Sequence, residues 1–189
     1  MPSAEYDLRY LRAGLDILED YLLAPEIYWT VGKHPPPGEP LFPQLTLGGL
    51  LLAQTRLQGR QLSSALRAEF DRIAREFEAL RNRRRVAFEQ KARREFGVRL
   101  KLWTAFLSEY RDQPENHYDR YRYEVSRRVM LQLLQPEARE LPQAELELLA
   151  SLDNLLRAVL QPGEFIWDDE LRPAFPQPTF WYLYGGLRP

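Results

Sequence analysis

The sequence predicts a mainly α protein: a helical bundle around one very long helix of about 50 residues, with a proline-rich loop and an extended aromatic C-terminal strap. Apolar residues recur at spacings of three and four along most of the chain, which is the period of an amphipathic helix. The 15 prolines leave residues 61–111 free and concentrate in two other stretches. A chain of 189 residues that is 44% hydrophobic can bury one core of ordinary size. We therefore expect residues 1–189 to form a single helical domain.

Two shorter helices should begin the fold. Ser3 is a candidate N-cap for the first, in which leucines line one face as far as Leu23. Five prolines then make residues 27–44 a surface loop. Thr46 can cap a second helix that Gly59 ends, and two glycines in its first turn would let a neighbouring helix approach closely.

The very long helix is predicted from two apolar stripes, one over residues 62–80 and one over residues 96–110. A continuous helix of about 50 residues would measure about 75 Å. The whole chain, folded compactly, has a radius of gyration of only about 16 Å. Such a helix must therefore protrude, bend or pair with another copy, and we expect residues 81–95 to be its protruding or solvent-exposed part. A hairpin that turns near residues 81–83 is the alternative, although no glycine or proline marks a turn there.

The rest of the chain predicts two more helices and a tail. Pro114 should begin a helix that ends at Gln135, and another should run from Gln143 to Leu160. Residues 162–189 contain seven aromatic residues, which would form an unusual exposed patch in water, so we expect the tail to dock on the bundle. The segments "EFIWDDE", "TFWYLYG" and "EIYWTV" could instead be short strands of a minor sheet.

Several classes of protein are disfavoured by composition. The longest apolar run, residues 45–53, is far shorter than the ~20 residues of a membrane span, and the N-terminus lacks the pattern of a secretory signal. We expect no membrane association and a cytoplasmic location. The absence of cysteine excludes disulfides and thiolate metal sites. Neither His34 nor His117 belongs to a metal motif, and no phosphate-binding loop or nucleophile elbow occurs, so no catalytic residue, metal or cofactor is predicted.

Residues 81–101 carry nine basic residues and two glutamates, although the chain as a whole has a net charge of −1. This stretch is a candidate contact for a nucleic acid or an acidic partner protein. The candidate residues are Arg81, Arg83, Arg84, Arg85, Arg93 and Arg94. At 100° per residue, however, the cations surround the helix, and Glu89 and Glu95 stand four residues from several of them. A solvated helix that pairs its own charges is the competing interpretation.

A second candidate is the tyrosine- and arginine-rich segment 117–128, because Tyr and Arg are enriched in interface hot spots. Its candidate interface residues are Tyr118, Arg120, Tyr121, Arg127 and Arg128. The same alternation also suits an ordinary amphipathic helix that turns its tyrosines toward the core.

Three functions remain open. The first is a non-catalytic protein-interaction or assembly module with a protein partner or as a homodimer, since a protruding helix could bury its apolar edge against a second copy. The alternative is a nucleic-acid-binding protein that uses the arginines of residues 81–101. The third is an enzyme with a carboxylate-based site at Asp168 and Asp169, which stand beside Glu170. The sequence leaves enzymatic activity uncertain and favours the first.

Overall fold

The computed structural model describes residues Met1–Pro189 and is mainly helical, which confirms the predicted fold class. The helices are α1 Ala4–Leu15, α2 Leu18–Leu23, α3 Leu47–Gly59, α4 Ser64–Arg83, α5 Arg85–Asp112, α6 Pro114–His117, α7 Tyr121–Glu124, α8 Ser126–Leu134 and α9 Gln143–Val159. Two strands, β1 Gln161–Phe165 and β2 Tyr184–Gly186, pair antiparallel, so the minor β component is also present. None of the helices combines the length and the apolar character that crossing a bilayer requires.

The prediction of one continuous helix of about 50 residues is wrong. The chain leaves helical geometry at Arg84, whose φ and ψ are −110° and 29°, so that α4 has 20 residues and α5 has 28. The rings of Phe77 and Phe88 lie edge to face with centroids 5.7 Å apart, although eleven residues of a straight helix span about 16 Å. α4 packs mainly against α1, and α5 mainly against α8, so the chain bends at Arg84 instead of returning as a hairpin. The bend lets both apolar stripes enter one core, which a straight rod would leave in water.

Two other predicted helices are interrupted. The first is divided where Ile17 adopts φ −118° and ψ 5°, which separates α1 from α2. The helix predicted from Pro114 to Gln135 is instead α6, a short 3₁₀ turn over Tyr118–Arg120, α7 and α8. Local capping signals were more accurate than these long spans. The side chains of Ser3 and Thr46 accept hydrogen bonds from the first turns of α1 and α3, and α3 ends at Gly59.

α3 lies in the middle of the bundle, where it contacts α1, α5 and α8. Its Gly48 explains how closely these helices approach. A Cβ on Gly48 would lie 2.7 Å from Oε1 of Glu95 on α5 and 3.2 Å from Cβ of Met130 on α8. Such distances leave no room for a side chain, so the glycine permits the contact as the sequence suggested.

The aromatic tail belongs to the same core. Phe175 is fully buried, and its ring centroid lies 5.1 Å from that of Phe180 and 5.2 Å from that of Trp167. β1 and β2 join the two ends of the tail. Gly185 in β2 adopts φ +147°, and it lies so close to Gln161 that a side chain on Gly185 would overlap the carbonyl oxygen of Gln161. The "EIYWTV" segment is not part of this sheet. It forms a single antiparallel bridge between Trp29 and Leu45.

Candidate functional site

The first half of the basic stretch is neutralised by carboxylates of the same chain. The pairs are Arg81 with Glu78 and Glu137, Arg83 and Arg84 with Glu19, and Arg85 with Glu89. Nε of Arg84 donates to Oε1 of Glu19 at 2.7 Å, and this hydrogen bond lowers the pKa of Glu19. The side chains at the bend, residues 82–86, are exposed. The three arginines among them form exposed ion pairs, so few charges are left free for a ligand.

The second half of the stretch binds the backbone of the neighbouring segment. Nζ of Lys91 donates to the carbonyl oxygens of Ala24 at 2.6 Å and Glu26 at 2.8 Å, and Arg94 donates to that of Pro25. Lys91 is only 1% exposed, and burial lowers its pKa. Among the six candidate arginines, Arg93 alone makes no ion pair or side-chain hydrogen bond. The structure therefore does not gather these arginines on one ligand-binding face.

Glu95 and Arg99 form a buried pair instead of the helix-surface pair that their spacing suggested. Glu95 is fully buried and accepts hydrogen bonds from Nε of Arg99 at 2.8 Å and from the backbone N of Gly48 at 3.1 Å. Nη2 of Arg99 donates to Oγ1 of Thr46 at 2.8 Å. A carboxylate at this position also suits the positive N-terminal end of α3. The pair locks α5 to α3, which no local pattern in the sequence indicated.

The five candidate interface residues are divided between core and surface. Tyr121 is 2% exposed and its hydroxyl donates to the Tyr182 carbonyl at 2.6 Å, while Arg128 is 5% exposed and binds both carboxylate oxygens of Asp153 at 2.7 and 2.8 Å. Of the remaining three, Tyr118 is 38% exposed, Arg120 is exposed and Arg127 is half-buried. Both arginines pair with Glu124.

An open groove lies beside Tyr118 and has a volume of about 470 Å³. We call it the tail groove. One wall is formed by residues 118–122 and the other by the two strands with the residues that follow them. The groove-lining residues of the helical wall are Tyr118, Asp119, Tyr121 and Arg122, and those of the sheet wall are Gly163–Trp167 and Gly185–Leu187. The sequence singled out Tyr118 and Tyr121 but not the opposite wall.

Fixed hydrogen bonds join the two walls of the tail groove. Nε1 of Trp167 donates to the backbone carbonyl of Arg122 at 3.0 Å. Nη2 of Arg122 donates to Asp168 at 3.3 Å, and the N-terminal amine of Met1 also lies 3.2 Å from this carboxylate. These contacts give the groove a defined shape.

The acidic residues of the third hypothesis each have a cation as partner. Asp168 has the contacts described above, Asp169 pairs with Arg172 at 2.7 Å, and Glu170 pairs with Arg60 at 2.9 Å. The three carboxylates therefore bind three different parts of the chain. No group of three or more His, Asp or Glu side chains is arranged to hold a metal ion.

Comparisons of this chain with protein-family models, with curated proteins and with solved structures found no match. The tail groove is the feature that combines a large open volume, exposed backbone and aromatic side chains. A functional proposal therefore depends on what this groove could bind.

Proposed function

We propose that this protein is a non-catalytic interaction module that binds an extended segment of a partner protein in the tail groove. The observation that carries the proposal is that the backbone of both strands borders an open groove whose other wall carries aromatic side chains. Extended peptides bind many proteins by adding to an exposed strand, where backbone hydrogen bonds supply affinity and nearby pockets select side chains.

The sheet wall has room for a second backbone. Four of the five residues of β1 are exposed, and a sheet of two strands leaves one edge of each unpaired. Nothing lies within 4 Å of the position that a Cβ on Gly186 would occupy, and only the Cα of Gly185 lies near the equivalent position on Gly163, at 3.7 Å. Glycine within a strand allows another chain to approach closely.

The helical wall supplies side-chain contacts. Tyr118 is 38% exposed at the groove, and the nearby Tyr123 is 76% exposed. Tyrosine offers a large, fairly rigid contact surface and is enriched among interface hot spots. Because the hydrogen bonds of Tyr121 and Trp167 already fix the walls, binding would require little ordering of the groove itself.

Charge at the rim favours a basic partner segment. Asp119 forms no ion pair, and the Glu164 side chain is 94% exposed with Arg172 as its nearest cation, at 3.6 Å. Both acids line the groove, whereas its one arginine, Arg122, is paired with Asp168. Complementary charge of this kind contributes to the rate and specificity of association more than to affinity.

The experiment that tests the proposal uses a variant that fills the groove. Gly186→Trp adds a large ring where the structure has open space, so we expect it to fold normally and to block the groove. Arg75→Trp adds the same ring to an exposed position of α4, outside the groove, and is the matched control. Partners captured from the source cells by the wild type should be lost with Gly186→Trp and retained with the control. A peptide from the captured protein should then bind the purified wild type at least about tenfold more tightly than the variant.

Equal capture by all three proteins, or a peptide affinity that Gly186→Trp leaves unchanged, would contradict the proposal. The homodimer was expected because a protruding helix could bury its apolar edge against a second copy, but that edge, near Phe88 and Ala92, is buried within the chain. Light scattering across a range of protein concentrations would show whether the protein nevertheless forms a dimer.

The observations favour this function over the other two. Five of the six candidate arginines already have partners in the chain, so few cations remain for the phosphates of a nucleic acid. The acids at 168–170 are each paired with a different cation, so they do not converge on one point as the carboxylates of a catalytic site would.

A further inference from the structure

A second cavity, of about 360 Å³, runs along one face of α3, and we call it the tyrosine cleft. α1 supplies Tyr6 and Tyr10 to its wall, and the proline-rich loop supplies Tyr28, which is 39% exposed. Leu52 and Met130 add apolar surface. A mostly apolar cavity of this size with a few polar groups is typical of a small-molecule site.

Two buried arginines border the tyrosine cleft, and each has an unused donor group. Nε and Nη2 of Arg56 donate to the two carboxylate oxygens of Asp7, at 2.9 and 2.5 Å. Nε and Nη2 of Arg99 donate to Glu95 and Thr46, both at 2.8 Å. Both arginines are only 8% exposed, and Nη1 of each makes no hydrogen bond within the protein. Both Nη1 atoms remain accessible to solvent, and because guanidinium groups only donate, a ligand atom that binds either of them must be an acceptor.

The Arg56 end of the cleft has excess positive charge. Asp7, which is fully buried, accepts hydrogen bonds from Arg60 as well as Arg56, so one buried carboxylate faces two buried guanidinium groups. The other acid near Arg60 is Glu170, whose side chain is 55% exposed and therefore screened by water. At the opposite end Arg99 is already neutralised by its buried carboxylate. An anion is therefore expected at Arg56 and an uncharged acceptor at Arg99.

The hydroxyls of Tyr6 and Tyr10 already face acceptors within the protein, whereas Nη1 of each arginine is left to donate to a ligand. The hydroxyl of Tyr6 donates to the Leu41 carbonyl at 2.9 Å, and that of Tyr10 lies 3.4 Å from the Gln44 carbonyl. Their rings therefore present mainly apolar surface to the cleft. Such a wall suits the hydrocarbon part of a ligand.

The length of the cleft follows from helix geometry. Gly49, Leu52 and Arg56 all line it and are spaced by three and four residues on one face of α3. Seven residues of helix span about 10 Å. We propose that the tyrosine cleft binds an amphipathic organic carboxylate. Its carboxylate accepts hydrogen bonds from Nη1 of Arg56, and its apolar body lies along Leu52 and the tyrosine rings toward Arg99.

The test uses ¹⁵N-labelled full-length protein and hydrocinnamate, a carboxylate with a phenyl body. Titration should shift the backbone amide resonances of Gly49, Leu52 and Arg56 saturably, with a dissociation constant of about 1 mM or lower for this generic probe. Hydrocinnamamide has the same body without the charge and should bind at least about tenfold more weakly. Inorganic phosphate has the charge without the body and should also bind more weakly.

Two variants localise the binding. Gln44→Trp places a large ring at an exposed residue that lines the cleft, and it should abolish the shifts without removing a side-chain contact. Gln58→Trp is the matched control, since Gln58 is exposed on the same helix but does not line the cleft. Arg56→Lys keeps the charge but cannot bind both oxygens of Asp7 and a ligand together, so it should also weaken binding.

Several results would overturn the proposal. One is the absence of saturable shifts with hydrocinnamate, as expected of a cleft that holds only water. Another is an affinity for hydrocinnamamide or for phosphate equal to that for hydrocinnamate. A third is an affinity for hydrocinnamate that Gln44→Trp leaves unchanged. Shifts confined to Gly163, Gly185 and Gly186 would place the probe in the tail groove and would equally contradict a site in the cleft. None of these outcomes depends on whether the tail groove binds a partner protein.

Discussion

The two halves of the basic stretch carry four basic residues each but use these charges differently. Residues 81–85 contain four arginines that pair with glutamates at the protein surface. Residues 91–99 instead bury Lys91, Glu95 and Arg99. The first half surrounds the bend between α4 and α5, whereas the second half attaches α5 to α2 and α3. The comparison shows that the structural role of a basic segment depends on which groups it contacts in the folded protein. Ion pairs in water contribute little, and buried charges are costly to leave without a partner.

The largest effect is expected from Glu95→Ala. This substitution leaves the buried Arg99 without its carboxylate and the amide of Gly48 without an acceptor. Removing one partner of a buried ion pair costs about 3–5 kcal/mol. Urea unfolding followed by circular dichroism should show this loss in the free energy of unfolding. Glu89→Ala, which removes the partner of the exposed Arg85 on the same helix, is the control and should cost a small fraction of that. Similar costs for both would remove the difference between the two halves.

A smaller loss is expected from Lys91→Met. The substitution keeps much of the buried side chain but leaves the carbonyls of Ala24 and Glu26 without their donor. Unsatisfied buried acceptors of this kind cost about 1–3 kcal/mol. The effect should also depend on pH. Burial lowers the pKa of Lys91 in the folded protein below its ordinary value of 10.5. Between these two values of pH, the unfolded chain binds more protons than the folded protein. The free energy of unfolding of the wild type therefore rises with pH in this range.

The methionine variant lacks this gain, so the free-energy difference between wild type and Lys91→Met should widen as pH rises toward 10.5. Buried tyrosines such as Tyr21 have raised pKa values and destabilise the fold above pH 10, but both proteins share that effect. Urea unfolding at several values of pH from neutral to about 10 measures the difference. A difference that is constant or narrows with pH would contradict the buried, charged state of Lys91.

The sequence predicted the features that depend on neighbouring residues. Ser3 and Thr46 cap their helices, and Gly59 ends α3, because capping involves atoms within one turn. A bend was one of the outcomes left open, but its position at Arg84 could not be predicted, because its benefit comes from the contact of Phe77 with Phe88 within a shared core. No break signal in the local sequence marks that position.

The candidate sites divide in the same way. Tyr118 and Tyr121 could be singled out by residue type, and both line the tail groove. Its sheet wall could not be placed against them, because β1 and β2 come together from opposite ends of the tail. The burial of Lys91 and Glu95 was equally out of reach, since their partners near residues 24 and 48 lie more than 45 positions away. A regular spacing of charges predicts a helix surface only when no other element covers it.

Only a small effect is expected from Arg84→Ala. Arg84 pairs with Glu19 at the surface, where water screens the interaction. The shift in the urea midpoint should be smaller than that of Lys91→Met, and it should shrink further in about 1 M salt, where the screening length is about 3 Å. The shift caused by Lys91→Met should change little with salt, because its hydrogen bonds are buried. A large loss of stability in Arg84→Ala that does not depend on salt would instead mean that the ion pair of Arg84 with Glu19 stabilises the bend.

The smallest effect is expected in nucleic-acid binding. Labelled single-stranded RNA and double-stranded DNA, followed by fluorescence anisotropy in about 50 mM salt, should show no saturable binding, because the arginines of residues 81–85 are held by carboxylates of the chain. Arg93 is the only one of the six candidates without a partner, and one cation releases too few counterions to support binding. Binding that falls steeply with salt and is lost when Arg83, Arg84 and Arg85 are all replaced by alanine would give the opposite answer. In that case the arginines of residues 81–85 would leave their glutamates and pair with phosphates. The first half of the stretch would then be a nucleic-acid-binding surface, and the second half would hold the helix that carries it in place.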